Sequence, residues 1–339
     1  MAFSHVRVNG TVNNLINAFF MLLAIGLLSG CSDAFKTPIE TRLHSEDGAM
    51  AADISASGKL SVVSSIERGL TVWDLSSDQP KFEWRHQGDG NNLVTNIHIA
   101  ADASYVVTSD REAFALWSVT SGEPIGFWRI DESHIRDIAV SNNGNGILVG
   151  RSNGKMMYFE PNTGRRLEFL GHQEKINSID LSPNGRFALS GSNDYVAYLW
   201  STENGQIIHT FTHTNRVTRV ALDDQGRYAF TADSTNQANI WDVQTGERIS
   251  QLDIFVRQQI FTDAVFSDNG EWLLTGSPSR RVNLWSVQSG KELSEWRVEP
   301  NKHASLRTAV VNAVAFVDEA SIVSESSSGL AEFWEIDNE

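Results

Sequence analysis

An aromatic residue closing a short apolar run returns seven times along this chain, at Trp73, Trp117, Phe159, Trp200, Trp241, Trp285 and Trp334, with intervals of 44, 42, 41, 41, 44 and 49 residues. A period of that length constrains the fold more than composition does. One such repeat has too little apolar surface for a core of its own and must stack on its neighbours. Between the aromatics the residues alternate apolar and polar, as in INSIDLS (176–182), VTRVALD (217–223) and VNAVAFV (311–317), which is the pattern of half-buried strands. No window beyond the first thirty residues sustains a helical period, so an all-β fold is expected.

Two turn motifs hold fixed places in the repeat. Upstream of the aromatic come SASGK (55–59), SNNGN (141–145), SPNGR (182–186), DDQGR (223–227) and SDNGE (267–271); downstream come TSGE, NTGR, ENGQ, QTGE and QSGK, ending at Glu123, Arg165, Gln206, Glu247 and Lys291. Each carries a glycine able to take the positive φ of a tight hairpin. Strand, turn and period together predict a seven-bladed β-propeller of residues 39–339, with four antiparallel strands per blade. The last repeat supplies only three strands, from Val311, Ser321 and Leu330 onward, and would leave an open edge. Residues 39–44 resemble the outer strands near Trp84, Trp128 and Trp296, so an N-terminal strand is expected to close the last blade.

WDL at Trp73, WDV at Trp241 and LGHQ at residues 170–173 carry the Trp-Asp and Gly-His pairs of the WD-repeat family, which residues 39–339 resemble. The resemblance implies a hydrogen-bonded structural tetrad in the fourth repeat, formed by His172, Ser190, Asp194 and Trp200. His44, His86 and His213 fall near the histidine position. The aspartate six residues before the aromatic is replaced elsewhere by Glu67, Arg111, Asn153, Thr235, Ser279 and Ser328, so cohesion of those blades is expected to come mainly from apolar packing. In this family the outer strand starts on the face carrying the turns between first and second and between third and fourth strands. A tether before residue 39 therefore leaves from that face.

Residues 18–28 read AFFMLLAIGLL, an uncharged run of signal-peptide length and too short to span a bilayer comfortably. Ser29, Gly30 and the chain's single cysteine, Cys31, follow at once. This stretch resembles the lipobox of bacterial lipoproteins, which implies a signal peptide over 1–30, cleavage before Cys31, and a lipidated tether over 31–38. Acylation would supply two or three chains, enough for stable attachment. Ser32, where such proteins carry an aspartate for inner-membrane retention, favours the outer membrane. The seven residues after Cys31 reach roughly 25 Å at about 3.5 Å each.

The net charge is −15, and the first thirty residues hold Arg7 and no acid, so the acidity belongs to the repeats. Such a surface repels a phosphate backbone and excludes nucleic acid as partner. One thiol allows no internal disulfide and no cysteine-based metal site. Residues 150–154 match the G-x-S-x-G of a hydrolase elbow, but no helix follows, and the motif reads as a hairpin turn. His172 with Asp194 reads as structural. DDQG at 223 lacks the spaced acids and glutamate of a calcium loop. No paired acid–base set recurs for a channel enzyme, and no cofactor or metal is expected. Arg136, Lys175, Arg216, Arg219, Arg257 and Arg307 recur near the start of the innermost strand and form a candidate basic rim, although the same positions also read as solvated side chains beside acids such as Asp137 and Glu174. The expectation is a non-catalytic, lipid-anchored scaffold in the cell envelope that binds a protein or peptide. The alternatives are a component of outer-membrane or cell-wall assembly machinery, or a propeller enzyme.

Overall fold

The computed structural model describes Met1 and residues 36–86, 93–256, 258–301 and 309–337. Residues 36–337 form seven four-stranded antiparallel sheets, so the propeller, its blade count and its strand count are as expected. Strands within a blade are called a to d, from the axis outward. The seven a strands are Ala51–Ile54, Asn96–Ile99, Ile135–Val140, Ile176–Leu181, Val217–Leu222, Asp263–Phe266 and Val311–Phe316, and they number the blades 1 to 7. The b–c turns and the d-to-a loops share one face, here the upper; the a–b and c–d turns share the lower.

Blade 7 takes its d strand from the start of the chain. Glu40–Leu43 pairs with Leu330–Glu335, with Glu40 opposite Phe333 and Leu43 opposite Leu330. The backbone N–H of His44 extends this pairing to the carbonyl of Gly329 at 2.9 Å. Closure thus removes the open edge of the last sheet. Just before it, Lys36 bridges to Trp296 of blade 6, with its ammonium 2.7 Å from Asp337.

The first residue of each a–b motif proves to be a side-chain acceptor. Ser182 Oγ receives the N–H of Phe187 at 3.0 Å, Ser267 Oγ that of Trp272 at 3.0 Å, and Ser55 Oγ that of Leu60 at 3.1 Å. In blade 5 Asp223 takes this place and also pairs with Arg227 at 2.7 Å, which confirms DDQG as a turn. Blade 2 has Ala103 at φ +53 where five other a–b turns carry glycine. A left-handed backbone costs a residue with a Cβ about 1 kcal/mol or more. Ala103→Gly is therefore expected to stabilise the ring by about 1 kcal/mol, read as a higher denaturant midpoint at unchanged slope.

Several neighbouring sheets cohere through aromatics that cross from one blade's d strand to the next blade's c strand. Trp84 stacks on Trp117 with centroids 5.0 Å apart, Phe169 on Trp200 at 4.5 Å, and Phe211 on Trp241 at 4.6 Å. Trp200, Trp285, Trp296 and Trp334 are fully buried. Side chains of this size dominate packing energy. In the closing strand His44 fills that place, stacking on Trp73 at 4.4 Å and 8°. By register it also holds the histidine place, two residues after Arg42 opposite Ala331, as His86 stands two after Trp84 opposite Leu70 and His213 two after Phe211 opposite Ala197.

Candidate interaction faces and the central channel

The expected tetrad is assembled in three of its four members. His172 Nδ1 lies 2.9 Å from Asp194 Oδ2 and Nε2 lies 2.9 Å from Ser190 Oγ. Burial pushes Asp194 up, but His172 outweighs it and holds the carboxyl below its usual range. The indole N–H of Trp200 is buried without a partner, so Trp200 contributes packing on Phe169 and not the fourth hydrogen bond.

Two other blades rebuild the arrangement with acids at shifted positions. In blade 5 Thr231 Oγ1 accepts from Trp241 at 2.8 Å and contacts His213 Nε2 at 2.8 Å, with Asp233 3.7 Å from Nδ1. In blade 2 Trp117 donates to Thr108 at 2.9 Å, and His86 faces Asp110 at 3.7 Å. The replacement of the sixth-position aspartate by Thr235 and Arg111 thus removes less than expected, because Asp233 and Asp110 stand one or two places earlier. Burial lowers both His86 and His213, which keeps them neutral acceptors and donors at neutral pH. Trp73 lacks a partner, since Val63 stands where these blades carry a hydroxyl.

Titratable groups do converge on the axis, contrary to the expectation that no acid–base set gathers there. Each a strand is the inner edge of its sheet and turns unpaired N–H groups toward the channel, where they need acceptors. Side chains of the preceding blade supply them. Asp53 accepts from Ile99 at 2.7 Å, His98 Nδ1 from Val140 at 3.2 Å, Asp137 from Ile179 at 2.9 Å, Asp180 from Leu222 at 2.7 Å and Asp263 from Val314 at 2.9 Å. Arg219 spans the gap between blades 5 and 6 by donating to Asp263, and Asn312 of blade 7 reaches the Ala49 carbonyl just before blade 1 at 3.5 Å. The set therefore stitches neighbouring blades together. Burial raises Asp53 to about 6 and also raises Asp137. His98 is pulled down by burial but carried net upward by Asp180, 3.8 Å away, and by Asp53. These groups line a cavity of about 160 Å³.

Of the candidate rim, Arg136 and Arg216 are exposed and Lys175 is half-buried, all on the upper face. None makes a side-chain hydrogen bond or ion pair among the described residues. Arg219 lies in the channel and not on the rim. Arg257, Arg307 and the candidate lipid site Cys31 lie outside the described residues. Exposed apolar side chains occupy the same face: Leu170 at 63%, Tyr195 at 50% and Phe255 at 90%. Sequence reasoning missed these, because a single apolar residue in a loop carries no periodic signature. The G-x-S-x-G stretch is a b–c hairpin with Gly154 at φ +81, and Arg151 within it is buried and paired with Glu132 at 3.3 Å. Among the described residues no group of histidine, cysteine or carboxylate side chains is placed to hold a metal ion, and no helix is long and apolar enough to cross a membrane.

Residues 164–201, 205–242 and 256–286 match the WD40 family, described as WD domain, G-beta repeat. The curated proteins contain no match to the chain.

Proposed function

Because this chain belongs to the WD-repeat β-propellers, a group of protein-interaction platforms, we propose that it is a non-catalytic scaffold, anchored by lipid on Cys31 in a bacterial envelope, that holds an acidic protein or peptide on its upper face. The observation that carries this reading is the joint exposure of Arg136, Arg216, Leu170, Tyr195 and Phe255 on one face of an otherwise acidic molecule. Apolar groups provide contact area, and cations without an internal partner attract and orient an acidic surface. The channel groups support the non-catalytic part, since their hydrogen bonds hold neighbouring blades.

Crosslinking in intact envelopes, followed by identification of the captured proteins, tests the scaffold directly. Arg136→Glu combined with Arg216→Glu is expected to reduce recovery of the captured partner about tenfold and to abolish its salt dependence. Unchanged recovery would remove the upper face from the reading. Anchoring has a separate readout: Cys31→Ala is expected to move the protein from the membrane to the soluble fraction. Continued membrane attachment of that variant would contradict the lipid anchor.

A further inference from the structure

On the lower face the a–b turns of blades 6, 7 and 1 part around a cleft of about 500 Å³. Its apolar surface includes Trp272, Phe316, Val317 and Val265, all half-buried, with the Trp272 and Phe316 rings 6.3 Å apart at 27°. Around it stand four exposed carboxylates, Asp224, Asp268, Asp318 and Glu319, against one cation, Lys59. Asp318 is occupied in its own turn, accepting from Ala320 N–H and Ser321 Oγ, each at 2.8 Å. Asp224, Asp268 and Glu319 make no side-chain hydrogen bond or ion pair among the described residues. The contrast with the channel is direct, since the aspartates there accept blade-to-blade N–H groups, whereas these three organise nothing.

Asp224, open to the cleft on one side, is crowded by protein on the side of the channel mouth, where the loss of hydration and the neighbouring acids Asp180, Asp223 and Asp268 push its carboxyl up to about 6. Like charges crowded beside an uncovered apolar surface are relieved by a ligand that brings both a cation and an apolar group. A small inorganic cation would leave the aromatic surface wet. We propose that this cleft binds a basic peptide segment, placing a lysine or arginine between Asp224, Asp268 and Glu319 and an adjoining apolar side chain on Trp272 and Phe316. The platform would then present faces of opposite charge preference, basic above and acidic below.

The test uses a fluorescein-labelled peptide of alternating lysine and leucine and its glutamate–leucine counterpart, titrated with the full chain and read by anisotropy. The lysine peptide is expected to bind and the glutamate peptide not. The triple neutralisation Asp224→Asn, Asp268→Asn and Glu319→Gln is expected to weaken binding about tenfold, as is raised salt. Trp272→Ala is expected to weaken it further, while Arg136→Glu on the other face leaves it unchanged. If Trp272→Ala fails to fold, the near-isosteric triple variant decides alone, its thermal transition serving as the check on folding. Equal binding of both peptides, equal binding by the triple variant, or no binding of the lysine peptide overturns the proposal. So does self-association by light scattering that the triple variant abolishes, which would seat a second copy in the cleft. A failure here leaves the upper-face reading standing, because the two tests use separate residues.

Discussion

Removal of residues 36–44 is expected to abolish the cooperative unfolding transition and to drive the protein into aggregates, because blade 7 would then end at Leu330–Glu335 with every outward N–H and C=O of that strand unpaired. Within the removed segment His44 carries the largest single effect. Its ring is fully buried on Trp73, and Nδ1 contacts Glu325 Oε1 at 2.5 Å. Glu325 is itself fully buried and receives one further hydrogen bond, from Ser61 Oγ of blade 1 at 2.7 Å. Three segments distant in sequence thus meet on one carboxylate. His44→Ala would leave that carboxylate nearly unsupported, at an expected cost of about 3–5 kcal/mol. Replacing the pair together by His44→Phe and Glu325→Leu is expected to recover most of the loss, since other d strands carry phenylalanine at the stacking place and a buried pair is commonly exchangeable for apolar packing. Chemical denaturation of the two variants and the wild type decides the matter. Equal destabilisation by the single and paired changes would contradict this account, since it would show that restored apolar packing cannot stand in for the His44–Glu325 contact.

Raising the pH from about 6 to about 9 is expected to destabilise the wild-type protein, and Glu332→Gln is expected to remove much of that loss. Glu332 lies on the c strand of blade 7, fully buried, with its carboxyl receiving the N–H of Glu299 at 3.0 Å. Burial raises it to about 8 from an ordinary 4.5, helped by the nearby carboxylates of Glu299 and Glu325 and opposed by Arg280. A carboxyl raised on folding binds its proton more tightly in the native state. Its contribution is fully present below the unfolded value near 4.5 and is lost as pH rises through about 8. The glutamine keeps the acceptor and cannot ionise, so its advantage should grow with pH to the order of 3 kcal/mol. Parallel pH–stability curves for the two proteins would contradict this. Asp53 and Asp224, raised to about 6, act in the same direction at lower pH.

Legibility differed by the kind of interaction. Tryptophan period and turn glycines reported the blades because each is a local demand repeated in every sheet: a strand needs its anchor, and a hairpin needs its left-handed residue. The closing strand was readable for the same reason, as its residues matched outer strands elsewhere. The histidine place of His44 was readable from its spacing, whereas its stacking on Trp73 was not, because a contact between the two ends of the ring leaves no local pattern. The channel aspartates escaped notice because their partners are backbone N–H groups of the next blade, which any residue type supplies. Glu325 and Glu332 sit on strands where alternation predicts apolar side chains, and only the seam between blades explains them. Of the interaction faces, the cations at residues 136, 175 and 216 were visible in the sequence. The exposed Phe255 and the lower cleft arise from loops converging in space.

The closing strand also sets an order of events during biosynthesis. A ribosome releases residues 40–43 long before residues 330–333 exist, so the first strand made must wait, unpaired, for the last. Contacts this remote in sequence are slow to form. The finished ring is protected from fraying at either terminus, but the nascent chain passes through an interval in which six blades can be complete and the seventh cannot. Chaperone capture or proteolysis would act most heavily in that interval.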